Sequence, residues 1–225
     1  MSGRPTDAEQ AAYTEVLQQI KYRMYTADHF LSDAGHNYLS GPDGFPYAAE
    51  MAALQLRKVL ELVLLGSLIT NKSALAQSEK ALARKKPDEA LKAVEKLNPN
   101  FWPHPVLQVP VKAGALYVLE NVTDGLKRDE YGRAFGLVSE WVHARNPLAQ
   151  PLDPVGGREK LRQLYWKLIP LLNHFVIGLV DRDAMLKCQM AAYPIGAPHT
   201  GPGEVEVVLL ERAGPMAWTL PPTAG

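Results

Sequence analysis

Apolar residues recur every three or four positions through much of this chain, which predicts amphipathic helices. The first helix is predicted to follow a cap at Asp7 and to run to about Leu31. Its inward positions are predicted to be Ala12, Val16 and Ile20, followed by Met24 or by Ala27 and Leu31. A second helix is predicted from Pro46 to about Asn71, and it is apolar almost all round from Val59 to Ile69. This pattern predicts that the second helix is the most buried element.

A third predicted helix, at 128–144, has two different faces and ends in a polar turn. One face carries Tyr131, Phe135, Val138 and Val142, and the other carries Gly132, Gly136, Ser139 and His143. Small residues on the second face predict close packing against another helix. Pro147 cannot continue a helix, so the chain is expected to turn just after His143.

The rest of the chain predicts a closing helix and a pair of strands. Residues 73–97 read as two short helices broken at Lys86–Pro87, and 98–112 as an extended connection over the surface with a short strand at Val106–Val109. After a loop at 147–157, a helix is predicted over 158–180. Residues 185–193 and 204–212 predict a terminal hairpin, which has to dock on the helices, meet the strand near Val106, or pair with another subunit.

These elements predict a mainly α (α+β) fold, a helical bundle with a small C-terminal antiparallel β-hairpin. The bundle is expected to cover residues 1–183, with the hairpin at 184–213 as an appendage of the same domain and 214–225 as a flexible tail. The hairpin edge and the small-residue face together favour a homo-oligomer, most simply a homodimer.

The composition of the chain bears on its binding partners and on its cellular compartment. The chain has 225 residues, of which 47% are hydrophobic, and 24 basic residues balance 24 acidic ones. A formal charge of zero provides no overall attraction to nucleic acid or anionic lipid. Cys188 is the single cysteine and no leader is recognised at the N-terminus, which favours the cytoplasm. The apolar runs are shorter than the ~20 residues of a membrane span, so no membrane association is expected.

Charged residues interrupt the apolar second helix along one side. Glu50, Arg57 and Glu61 lie at i, i+7 and i+11. A site arginine with a carboxylate that orients it is one interpretation, and an internal salt bridge is the other. If Arg57 is buried with Glu61 or Glu50, removing it should cost about 3–5 kcal/mol.

His143 is the best catalytic candidate, with Arg145 and Asn146 beside it. An imidazole here could act as a general base or contact a phosphate. The alternative is structural, because a histidine at a helix C-terminus can bond the last carbonyls and complement the helix dipole. The other five histidines are scattered, and His174 is expected to be a hydrogen-bonded core residue.

Other kinds of site find little support. No spacing typical of metal ligands or of a cofactor-binding loop is present, so no metal and no cofactor are expected. Trp102 with His104, and the basic run Arg84–Lys86, could contact RNA by stacking and through phosphates. Acidic residues surround the basic run and cancel most of its field.

The segments LQLRKVLELVLLGSL at 54–68 and YGRAFGLVSEWVHARNP at 131–147 resemble the HEPN superfamily of small helical bundles. They also resemble an uncharacterised group of bacterial proteins with no assigned activity. HEPN proteins occur in prokaryotic toxins and defence systems, and their ribonucleases carry an Arg followed by His after four to six residues. Here Arg145 instead follows His143, and the only match, Arg23 to His29, is expected by chance.

Two functions follow, and the sequence does not decide whether the protein is an enzyme. The first is a non-catalytic module that binds or regulates a partner protein, with Arg57 and Glu61 as an internal ion pair. The second, implied by the HEPN resemblance, is an RNA-cleaving or phosphate-transferring enzyme. In that case His143 is the base, Arg57 or Arg145 stabilises phosphate charge, and Glu61 orients the arginine.

Overall fold

A computed structural model describes residues 5–33, 47–71, 87–110, 117–143, 153–180, 184–190 and 205–211. The described residues form five α-helices: α1 Asp7–Leu31, α2 Tyr47–Ile69, α3 Pro87–Leu97, α4 Tyr131–Val142 and α5 Pro154–Asn173. They also form five strands: β1 His104–Pro110, β2 Tyr117–Asn121, β3 His174–Gly178, β4 Ala184–Gln189 and β5 Glu206–Glu211. The predicted mainly α fold with some β structure is therefore confirmed.

Helix α2 lies at the centre of the helical part, as its apolar sequence predicts. Its buried residues include Leu56, Val59, Leu60 and Leu68, all without measurable exposure. It packs along α1 and α4 and also contacts α3 and α5. Gly66 lets α1 come close, because a Cβ there would lie 2.6 Å from the ring of Tyr13. The central helix is thus enclosed on most of its circumference.

Helix α1 runs to Leu31 as predicted, but its start differs in detail. The N-cap is Thr6, not Asp7, and Thr6 forms a capping box with Glu9. Val16, Ile20 and Met24 are buried as expected. Ala12 is exposed, so its assignment to the inward face was wrong.

The strands form one antiparallel sheet in the order β2-β1-β3-β4-β5. The predicted terminal hairpin is confirmed as β4 and β5, with Leu186 opposite Leu209. It extends the sheet by pairing along β3, and β3 in turn meets the start of β1 at His104 and Pro105. One face of the sheet, carrying Phe175, Ile177, Leu186 and Cys188, joins the core of the helices.

Two predicted boundaries around α5 were wrong. The closing helix ends at Asn173, and His174–Gly178 is strand β3 rather than a continued helix. The helix also begins earlier than predicted, at Pro154, because Asp153 accepts hydrogen bonds from the N–H groups of residues 155 and 156. Residues 153–157 are therefore the cap and first turn of a helix instead of a loop.

The connection between α3 and β1 does not run over the surface as predicted. Phe101 and Trp102 are buried in the core, and Trp102 Nε1 donates a hydrogen bond to the carbonyl of Leu126 at 3.1 Å. The indole is therefore closed to stacking on RNA. The basic run Arg84–Lys86 lies outside the described residues, as do the predicted first short helix and the tail at 214–225.

No helix among the described residues is long and apolar enough to cross a membrane.

Candidate functional site

Three of the candidate residues come together on the outer side of the α2–α4 pair. Arg57 and Glu61 lie one turn apart on α2, and Arg57 Nε donates to Glu61 Oε1 at 3.2 Å. His143 is the C-cap of α4, 86 positions further along the chain, and its Nε2 lies 3.5 Å from Arg57 Nη1. Arg145 and Asn146, the other two candidates, lie outside the described residues.

The position of His143 follows from how α4 packs on α2. Tyr131 is fully buried, and its hydroxyl donates to the carbonyl of Leu60 on α2 at 3.3 Å. Val138 and Trp141 continue the buried side of α4. With α4 fixed in this way, its C-cap His143 comes to Arg57, half-way along α2.

Two further side chains, which were not among the candidate site residues, complete the cluster. Lys58 Nζ donates to the second carboxylate oxygen of Glu61 at 2.7 Å. The guanidinium of Arg57 lies over the ring of Phe135, 5.3 Å from its centroid, in a cation–π contact. The i, i+3 spacing of Lys58 and Glu61 could have been recognised from sequence, whereas the Phe135 contact depends on the packing of α4.

The cluster is partly exposed rather than buried. The side chains of Arg57 and Glu61 are 23% and 33% exposed, Lys58 is 45% exposed, and His143 is on the surface. Water therefore screens these charges, and a molecule arriving from outside can touch them. Glu50 is half-buried on the same helix and forms no ion pair with another described residue.

The chemistry open to this cluster is that of two cations, one carboxylate and one imidazole. An arginine only donates hydrogen bonds, so His143 Nε2 can pair with it only as an unprotonated acceptor. At 3.5 Å this contact is at the outer limit of a hydrogen bond. The arrangement can accept an anionic group from solvent, and it can equally form the polar rim of a protein interface.

The glycine face of α4 was predicted to pack closely against another helix, but no helix of the described structure covers it. Gly132 and Gly136 are exposed, and a Cβ added at Gly136 would meet nothing within 4 Å. The small residues thus leave open backbone surface next to the cluster. Ser139 satisfies its own hydroxyl by donating to the carbonyl of Phe135.

A separate groove of about 430 Å³ lies between α4 and α5 and does not include the cluster. Its apolar floor is formed by Leu126, Ala134, Leu137 and Leu164. Its walls are charged, with Glu130 paired to Lys167. Acidic and basic side chains are mixed round the groove, so its charge does not indicate one class of ligand.

Other titratable groups lie away from the cluster. Cys188 is buried, and burial raises the pKa of its thiol, which keeps it protonated. His174 is half-buried, and its buried Nε2 has no hydrogen-bond partner among the described residues, so the prediction of a hydrogen-bonded core histidine was wrong. Among the described residues, no group of three His, Cys, Asp or Glu side chains could hold a metal ion.

The fold and cluster define a mainly α protein with an antiparallel sheet and an exposed Arg–Glu–His surface site. No family model, curated protein or solved structure matches this chain.

Proposed function

We propose that this chain is a non-catalytic helical module that binds a partner protein through the outer face of α2. The observation that carries the proposal is a line of exposed apolar side chains on this helix. Tyr47, Met51, Leu54 and Leu65 are 51%, 38%, 37% and 37% exposed. At i, i+4, i+7 and i+18 they fall on one side of the helix, together with Lys58. We call these five residues the α2 stripe.

Single exposed apolar residues are ordinary, but a line of them on one helix is a different feature. The rest of α2 is covered by α1, α4 and the core, so the stripe is the one side of the helix left to solvent in the described structure. Interfaces typically combine an apolar centre with a polar rim. The stripe supplies the apolar centre, and Arg57, Glu61 and His143 lie along its edge.

Arg57 suits this rim because it is already held in place. Its contacts with Glu61 and Phe135 fix the guanidinium before any partner arrives. A preorganised arginine loses less side-chain entropy on binding, and arginine is enriched among the residues that dominate binding energy. A reducing compartment, here proposed to be the cytoplasm, agrees with the buried free thiol of Cys188.

Site-specific photo-crosslinking in the native cells tests this proposal. A photoreactive residue is placed at Met51, within the stripe, or at Trp166, an aromatic residue on α5 that is 45% exposed. We expect a defined protein adduct, to this chain or another, from position 51 and none from position 166. Adducts from neither position, or equally from both, would overturn the proposal.

A second candidate function, an HEPN-like RNA-cleaving or phosphate-transferring enzyme, is favoured by the close approach of Arg57 and His143. In this proposal a phosphodiester enters between the two side chains, and Arg57 donates to a phosphate oxygen. His143 Nε2 takes the proton of the attacking hydroxyl, and water protonates the leaving oxygen. Glu61 keeps the guanidinium in position through its 3.2 Å contact. Arg145 could share the phosphate charge.

Purified protein incubated with total tRNA and mRNA tests this second function, with Mg²⁺ and Mn²⁺ supplied in turn. His143→Ala is compared with His29→Ala, which changes an exposed histidine on α1. Catalysis predicts cleavage by the wild type and by His29→Ala, lost only in His143→Ala with unchanged melting. If the wild type leaves both RNAs intact under all conditions, the enzymatic proposal fails.

A further inference from the structure

We infer that the partner which fits the α2 stripe is a second copy of this chain, docked antiparallel along α2. This inference rests on the proposed binding function and adds the identity of the partner. Its basis is the order of residues along the outer side of the helix: Leu54, Lys58, Glu61 and Leu65, at i, i+4, i+7 and i+11. The order is apolar, positive, negative, apolar.

This order is complementary to itself when one helix is reversed. A two-fold axis between positions 58 and 61 places Lys58 opposite Glu61 of the copy and Leu54 opposite Leu65 of the copy. Because a two-fold interface repeats every contact, both pairings occur twice. Parallel stacking in the same register would instead place lysine on lysine and glutamate on glutamate, which is repulsive.

The exposures of these four residues allow the contact to form. Leu54 and Leu65 are each 37% exposed, and Lys58 and Glu61 are 45% and 33% exposed. From Leu54 to Leu65 the helix advances about 16 Å. A contact of this length along one helix buries less than the ~800 Å² per partner of a standard interface. The contact therefore extends over α4, where exposed Gly132 and Gly136 let the copy approach closely.

The charges favour a copy over a nucleic acid or an anionic membrane. Arg57 and Lys58 both lie beside Glu61, and the carboxylate bonds to each of them. The two cations are thus half neutralised, and apolar residues flank them on both sides. A polyanion needs an uncompensated basic surface, whereas a self-complementary partner needs both signs in alternation.

Such a dimer brings the two Arg57–Glu61–His143 clusters to the same interface, one on each side of the axis. Lys58 of each copy approaches Glu61 of the other and adds a third cation to a carboxylate that already pairs with Arg57 and Lys58 of its own chain. The stripe and the cluster then belong to one contact surface instead of two separate sites.

Charge reversal with complementation tests the inference, using sedimentation velocity of the full chain. We expect wild-type protein to form dimers in a concentration-dependent way. Lys58→Glu places glutamate opposite glutamate, and Glu61→Lys places lysine opposite lysine. Each variant alone should therefore dimerise at least about tenfold more weakly. Mixing the two variants pairs opposite charges at both positions, and the mixture should regain dimers.

The matched control pair is Lys160→Glu and Glu159→Lys, which reverses two exposed charges on α5, outside the proposed contact. Neither should change the dimer constant, and mixing them should have no effect. Circular dichroism melting checks that every variant folds. Should Glu61→Lys fail to fold, Leu54→Ser replaces it as a variant expected to weaken dimers without charge reversal.

Wild-type protein that stays monomeric up to about 100 µM would overturn this inference, as would dimers insensitive to Lys58→Glu. The proposed binding function would survive that result if position 51 still crosslinks to a different protein. Absence of crosslinks at position 51 would instead remove the binding function itself. The two failures are therefore distinguishable.

Discussion

Gly157 shows how one residue without a side chain sets the contact between two helices. It lies in the first turn of α5 directly against Trp141 of α4, which is 2% exposed. A Cβ at position 157 would lie 2.0 Å from Trp141 Cζ2. The indole is enclosed by the core and cannot move away, so only glycine fits here.

We expect Gly157→Ala to lower the free energy of unfolding by about 2–3 kcal/mol, because the core has to shift around Trp141. Gly136→Ala is the matched control, since a Cβ there meets nothing within 4 Å. In mid-helix this change should raise the free energy of unfolding by up to about 1 kcal/mol. Urea denaturation of both variants measures the difference. Equal effects of the two substitutions would contradict the packing argument.

Arg57→Ala should lower the free energy of unfolding by about 1–2 kcal/mol. The larger cost of about 3–5 kcal/mol holds for a buried pair, and here Arg57 and Glu61 remain 23% and 33% exposed. What is lost is a solvent-screened ion pair and the contact with Phe135.

Lys58→Ala serves as the control for Arg57→Ala, because it removes a more exposed cation from the same carboxylate. We expect it to change the free energy of unfolding by less than about 0.5 kcal/mol. A loss above 3 kcal/mol for Arg57→Ala in urea denaturation would show that the pair is effectively buried in solution.

At the scale of elements, Asn98 ties the helices to the sheet. It is 3% exposed and follows α3 directly. Its Nδ2 donates to Asn71 Oδ1 at the end of α2 and to the carbonyl of Gly178 at the end of β3, at 2.8 and 2.7 Å. Its Oδ1 accepts from the N–H of Asn100 at 3.0 Å. One amide thus joins the ends of three elements.

We predict that Asn98→Ala lowers the free energy of unfolding by about 2–4 kcal/mol, because buried acceptors on Asn71 and Gly178 and the half-buried N–H of Asn100 lose their partner. Asn100→Ala is the control, since the bond that Asn100 donates to Asn98 and the bond that it accepts from the N–H of Gly178 both use backbone atoms. Its effect should stay below about 1 kcal/mol. Thermal and urea unfolding compare the two variants. Similar decreases in the free energy of unfolding would contradict the proposed role of the Asn98 side chain.

The periodicity of apolar residues correctly predicted the helices that bury one continuous face. The buried positions of α1, α2 and α4 repeat at helical spacing, so their existence was predictable, as was His143 at the end of α4. Their crossing then brought His143 to Arg57. The contact with Phe135 and the gap at Gly157 depend on the approach of separate helices, and no spacing within one segment reveals them.

Strand β3 shows where periodicity fails. Leu172, Phe175 and Leu179 fit a helical stripe, so the closing helix was extended through them. Residues 174–178 instead form a strand because they pair with β1, which is distant in sequence, and with β4, the next strand along the chain. Phe101 and Trp102 were missed for a related reason, because nearby prolines suggested a surface connection while the side chains pack inward.

At the scale of the whole molecule, two histidines make the fold sensitive to acid. His104 on β1 and His174 on β3 lie on neighbouring strands of the sheet, and both are half-buried. Burial lowers the pKa of each from its ordinary 6.5. For His174, Lys187 lowers the pKa further, and Glu206 opposes this. The folded protein therefore holds both rings neutral at pH values where the unfolded chain protonates them.

Because the unfolded chain binds more protons below the ordinary pKa, the free energy of unfolding should fall as pH falls from 7 through 5. Replacing both residues in His104→Gln with His174→Gln should flatten this dependence, measured by urea denaturation at each pH. His29→Gln, at an exposed position, should leave the slope unchanged. An unaltered slope in the double variant would contradict the assignment. Glu130, whose pKa is lowered chiefly by Lys167, contributes only in more acidic solution.

The strand order has a consequence for synthesis on the ribosome. α1 and α2 are close in sequence and can pair early, but β3 at residues 174–178 can pair with β4 only after residue 189 is made, and β4 with β5 only after residue 211. Until residue 189 is made, the helices lack the cover that Leu186 and Cys188, both without exposure in the finished protein, supply to the core. The nascent helical part therefore carries an incomplete core until late in translation, when a chaperone would have its main opportunity to bind.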